Sequence, residues 1–100
     1  MQPHFEILYH PDVPAKDLPR ISAADKQRIR RAIEQKLAFF PQEFGEPLRH
    51  TLKGYWKLRV GDWRVIYKIH SQMITIFRIA LTSLIEYHLF VSAVPTHNQN

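Results

Sequence analysis

A chain of 100 residues with 45% hydrophobic content can bury one core and has no room for a second domain. The absence of cysteine excludes disulfide cross-links, thiolate metal sites and cysteine nucleophiles. Fourteen Lys and Arg against nine Asp and Glu leave a net charge of +5, which favours an anionic partner if the cations gather on one face.

One domain is therefore expected over residues 1–100, with THNQN near the end as a frayed tail at 95–100. No run approaches the roughly 20 apolar residues of a membrane span. The opening MQPHFEILYHPD lacks the basic and apolar segments of a signal peptide, so a cytoplasmic protein with no membrane partner is expected.

In chain order, residues 5–9 read as a first strand, closed by His10-Pro11-Asp12 because proline removes a backbone donor and favours a turn. AKDLPR over 15–20 is helix-compatible up to Pro19. Ser22 then caps the main helix, with Asp25 placed to act as the acid of a capping box. Ile29, Ala32, Ile33, Leu37 and Phe40 recur at steps of three and four, a stripe that faces the core until Pro41 ends the helix. The prolines and Gly45 between 41 and 53 predict an irregular connection.

Period-two alternation begins at YWKLRV. A two-residue turn at Gly61-Asp62 would pair Val60 with Trp63 and Arg59 with Arg64. Trp56, Leu58, Val60, Trp63, Val65 and Tyr67 then share the face toward the helix, where the two tryptophans serve as core rather than as base-stacking surfaces. Tyr55, Lys57, Arg59, Arg64, Ile66 and Lys68 share the other. A turn near Ser71-Gln72 returns the chain through 73–80, with Arg78 counted on the helix-facing side, its head free to reach water or a partner's carboxylate. Ser83 and Glu86 form a second capping box before LIEYHLFVSAV, a run compatible with a helix or with a strand. The elements sum to an α+β fold: an N-terminal strand and two helices on an antiparallel sheet of about four strands, with a short C-terminal helix.

The cationic sheet face is the candidate site. Arg59 opposite Arg64 is unfavourable in isolation, so the face either binds a phosphate or carboxylate or is an ordinary solvated sheet surface. The histidines at 4, 10, 50, 70 and 97 have no spacing that recommends a metal site, and no cofactor motif is present.

The segment LKGYWKLRVGDWRVIYKI over 52–69 resembles the sheet core of the RelE/ParE toxin superfamily: leucine, glycine, aromatic, a basic-leucine-arginine strand, then glycine, acidic, aromatic, arginine and Val-Ile-Tyr. AKDLPRI, the helix with RIRRAIEQKL and the EPL before the sheet are similar to the family's helical half, so the resemblance spans about 5–80. It implies a compact RelE-like domain that is the toxin of a type II toxin-antitoxin or plasmid-stabilisation system, with a small, acidic, partly disordered antitoxin as partner. For members that cleave mRNA on the ribosome without metal, it implies that Lys57 and Arg64 act on the scissile phosphate; Arg59, on the same strand face, is added as a phosphate contact, and Lys68 and Lys53 as further RNA contacts. Tyr87 or His88 is the candidate for the acid. The chain departs from the catalytic pattern at TSLIEYH, where Leu84 stands about where an arginine would fall. A ParE-like inhibitor of DNA gyrase and a catalytically silent antitoxin-binding module share the same fold and remain alternatives.

Overall fold

The computed structural model describes residues 4–48 and 53–82. The expected C-terminal helix, the tail, Leu84, Tyr87 and His88 lie outside the described residues. Strand β1 (Glu6–Tyr9) leads into a π-helical turn (Val13–Asp17) and a 3-10 turn (Leu18–Arg20), an irregular pair in place of the single helix at 15–20. Pro14 and Pro19 each sit in the first two positions of their turn, where no backbone donor is needed, so neither proline disrupts its turn.

Helix α1 (Ala23–Ala32) begins as expected: the Ser22 side chain accepts from the backbone amide of Asp25 at 3.2 Å. Ser22→Ala should lower stability by about 1 kcal/mol in urea unfolding, and an unchanged midpoint would show that the cap contributes nothing. The Asp25 carboxylate, expected to complete a capping box, instead accepts from the Trp63 indole at 3.1 Å and so ties the helix start to the sheet.

The helix continues as a π-helical turn (Ile33–Leu37), in which the Ala38 amide donates to the Ile33 carbonyl five residues back at 3.1 Å. This extra residue per turn rotates the next side chains about the helix axis. Ile29, Ile33 and Leu37 are buried as predicted, but Ala38 takes the next inward position and Phe40, expected in the core, is 38% exposed. Pro41 does not stop a helix; it opens a short one, α2 (Pro41–Phe44), and is itself buried.

The connection read as irregular contributes a further strand, β2 (Glu46–Pro47), which pairs with β3 (Tyr55–Val60) through Glu46 opposite Lys57 and Pro47 opposite Trp56. The hairpin from β3 to β4 (Trp63–His70) has the predicted register, Val60 opposite Trp63 and Arg59 opposite Arg64. Gly61 enables it by adopting φ of 62°. Strand β5 (Met73–Leu81) completes the sheet, whose order is β1-β5-β4-β3-β2. The sheet has five strands and is mixed, since β1 joins parallel to β5. The helical segments lie between β1 and β2 in the chain and cover one face, where Leu58, Val65, Tyr67, Ile74, Ile76 and Ile79 meet Ile29, Ile33 and Leu37. Trp56, Val60 and Trp63 pack on that core as the hairpin count predicts.

A β-bulge interrupts β5. Ile66 pairs with Arg78 and Tyr67 with Ile76, leaving Phe77 as the additional residue. The bulge hands to Ile79 the core position that alternation assigned to Arg78. Arg78 Nε lies 3.6 Å from the buried carboxylate of Asp17, so its acidic partner is within the chain. Among the described residues no helix is long and apolar enough to cross a membrane.

Candidate functional site: a cationic cleft at the edge of the sheet

Strand β2 covers only the first part of β3, pairing with Trp56 and Lys57 and going no further. Beside its end lies a cleft of about 340 Å³ lined by Lys36, Phe44, Glu46, Lys57, Leu58, Arg59 and Arg64. Four of these are cationic and one is acidic, so the cleft is a positive recess.

Three of the predicted residues are brought together there. Lys57 and Arg59 come from the same face of β3, and Arg64 reaches the cleft from β4, directly opposite Arg59. Arg64 is only 8% exposed, and its Nη1 donates to Thr82 Oγ1 at 2.8 Å. That hydroxyl donates onward to the Asp62 carbonyl at 3.0 Å, and the Thr82 amide donates to the same carbonyl at 2.8 Å. The guanidinium is therefore held by the hairpin turn and the end of β5. Arg59 is exposed and its Nε donates to the Gly61 carbonyl at 3.2 Å, which fixes its stem over the turn.

Lys53 and Lys68 do not line the cleft. Lys53 is exposed in the turn before β3. The Lys68 ammonium stands 5.0 Å from the ring centroid of Tyr55, in a cation-π contact at the far end of the sheet face. Sequence reasoning missed Lys36, Phe44 and Glu46. Lys36 lies off the apolar stripe of its helix and carries no local signal, and Glu46 enters because β2 sets it opposite Lys57. Among the described residues, no three His, Asp or Glu side chains converge as metal ligands would.

A second recess, about 710 Å³, lies along α1 and is lined by apolar Leu18, Ile29, Ile33 and Ile79 with Lys26, Arg30 and Glu34 among its polar residues. Tyr9 also lines it, and burial pushes its phenol above the ordinary 10.0; Glu34 adds to the shift and Arg30 opposes it.

The profile of the ParE toxin of the type II toxin-antitoxin system parDE matches residues 7–83, and the chain belongs to this family. A comparison with curated proteins finds no match. The fold is similar to that of the toxin-antitoxin complex RelBE2 from Mycobacterium tuberculosis, with a TM-score of 0.73, 21% identity, and 78% of this chain and 98% of that one covered. It is also similar to the RelB-RelE antitoxin-toxin complex from Methanococcus jannaschii (TM-score 0.59, 19% identity, 79% and 94% covered). YafQ from E. coli is a further likeness, with a TM-score of 0.53, 21% identity, and 81% and 97% covered. At these identities the likenesses establish the RelE-like fold.

Proposed function

We propose that this type II toxin cleaves mRNA on the ribosome without a metal, using the cleft of Lys57, Arg59 and Arg64 to hold the scissile phosphate. The observation that carries the reading is the convergence of four cations on one recess beside the part of β3 that β2 leaves uncovered. In the reaction, the 2′-oxygen forms a bond to the adjacent phosphorus while the bond to the 5′-oxygen breaks. The 2′-hydroxyl proton passes to a base, and an acid protonates the departing 5′-oxygen. Lys57 and Arg59 are open to the phosphate; Arg64, preset by Thr82, meets the charge that develops on it. Tyr87 or His88 supplies the acid.

A cognate antitoxin, small and acidic, silences the toxin. Its amphipathic helix suits the recess along α1, where Pro14 and Leu18 lie near Lys26, and Arg30 is already bonded to Glu34. The localisation that goes with this function is cytoplasmic. The family match to the ParE toxin favours one other reading, inhibition of DNA gyrase by a protein that leaves messages intact.

The test is induction of the wild type, Lys57→Met and Arg64→Lys in a bacterial host, with mapping of new mRNA 5′ ends. Lysine is chosen at 64 because alanine would open a hole at a buried site and confuse loss of folding with loss of chemistry. Cleavage within translated codons should fall by about a hundredfold in either variant while each still unfolds cooperatively, with a lowered melting temperature for Arg64→Lys because it gives up the bond to Thr82. Toxicity with intact messages and inhibited supercoiling would sink the nuclease and support gyrase as target; growth without toxicity would indicate a silent antitoxin-binding module.

A further inference from the structure

Phe39, Phe40 and Phe44 are 38%, 38% and 47% exposed, an unusual cost for three large aromatic side chains on one short segment. They form a continuous strip. Phe40 meets Phe44 edge to face with centroids 6.0 Å apart, Phe39 is tilted 6.4 Å from Phe40, and His4 lies 5.9 Å beyond Phe39. None of these rings is stacked flat on its neighbour, so each keeps ring surface that the others do not cover.

The strip is continuous with the cationic cleft. Phe44 lines the cleft together with Lys57, Arg59 and Arg64, and the Lys36 ammonium, which lines it too, stands 5.4 Å from the Phe44 centroid. A row of exposed aromatic faces running out of a positive recess is the combination that binds single-stranded nucleic acid: cations track the phosphates and rings stack on the bases. Every large apolar group exposed on this segment is aromatic, so each offers a ring face on which a base can stack.

We infer that Phe44, Phe40 and Phe39 form a base-stacking track for the single-stranded RNA next to the phosphate held in the cleft. The inference rests on the cleft being an RNA site and adds a separate set of contacts, to bases rather than phosphates. It also supplies a use for the π-helical turn, which turns Phe40 out of the core.

The experiment measures anisotropy of two fluorescent probes at low salt, a short 2′-O-methyl oligoadenylate that cannot undergo the cleavage and an abasic strand of the same length. The full-length wild type should bind the oligoadenylate more tightly than the abasic strand. Phe40→Leu and Phe44→Leu should each weaken oligoadenylate binding about tenfold and leave the abasic strand unaffected, while Phe44→Tyr restores the wild-type value. Lys57→Met should weaken both probes. Equal wild-type affinity for the two probes, or Phe variants that bind oligoadenylate normally, would overturn the stacking track and leave the cleft standing. Self-association of the wild type that the Phe variants abolish would assign the strip to a second copy of the chain instead. Binding of neither probe would remove the RNA reading of the cleft along with the track.

Discussion

Asp17→Ala should lower the stability of the domain by about 3 kcal/mol, one of the largest effects of any single polar substitution in it. Strand β1 ends at Tyr9 opposite Ile76, and the His10 amide donates to the Ile76 carbonyl at 2.8 Å. Beyond that point none of the described strands flanks β5 on this side, and the buried carboxylate of Asp17 takes over, accepting from the Ile79 amide at 2.8 Å. The same carboxylate lies 3.6 Å from Arg78 Nε, so one side chain satisfies a buried donor of the central sheet and pairs the cation displaced by the bulge. Alanine would orphan the Ile79 amide and leave Arg78, 38% exposed, to water. Asparagine keeps an acceptor for Ile79 and loses the charge facing Arg78, so Asp17→Asn should cost about 1 kcal/mol. Urea unfolding of the two variants checks this ordering; an alanine variant as stable as the asparagine one would mean that Ile79 finds water instead.

The hairpin between β3 and β4 was legible because its determinants are local: strict alternation on both sides of a glycine that can take positive φ. From that turn the core face and the Arg59–Arg64 pair are reached by counting. Counting fails where the backbone adds a residue. The bulge at Phe77 moves Ile79 into the position assigned to Arg78, and the π-helical turn replaces Phe40 with Ala38, since a period of 3.6 does not anticipate a bond made five residues back. Asp17 was unreadable for a different reason, its partner being 62 residues away along the chain.

The site divides in the same way. Lys57, Arg59 and Arg64 came from strand alternation and from the family resemblance, and they do converge. Lys53 and Lys68 share their charge and not their place, because charge on a sheet face says nothing about position along it. Lys36, Phe44 and Glu46 reach the cleft only through the path of α2 and β2, a stretch whose prolines and glycine read as irregular connection.

Gly45 in that stretch is the position least able to accept a side chain. A Cβ there would overlap the Tyr67 hydroxyl oxygen and lie 2.8 Å from Tyr67 Cζ and 3.0 Å from the Pro41 carbonyl oxygen. Tyr67 has no room to retreat: it is fully buried beneath the helices, and its hydroxyl donates to that same Pro41 carbonyl at 2.6 Å. Gly45→Ala should therefore cost about 3 kcal/mol, a fall in melting temperature of roughly 15 °C for a domain of this size. Tyr67→Phe alone should cost about 1 kcal/mol, because the Gly45 amide still donates to the Pro41 carbonyl at 3.3 Å. Combined with Gly45→Ala it removes the closest of the clashing atoms, so the double variant should be more stable than the sum of the single losses by about 1 kcal/mol. Strict additivity would place the strain on the backbone instead. Burial also holds the Tyr67 phenol well above its ordinary 10.0, so the folded state keeps a proton that the unfolded state releases. Its contribution is fully present below that value and is lost as pH rises beyond it. Wild-type stability should accordingly fall in the alkaline range more steeply than that of Tyr67→Phe, which has no proton to lose there.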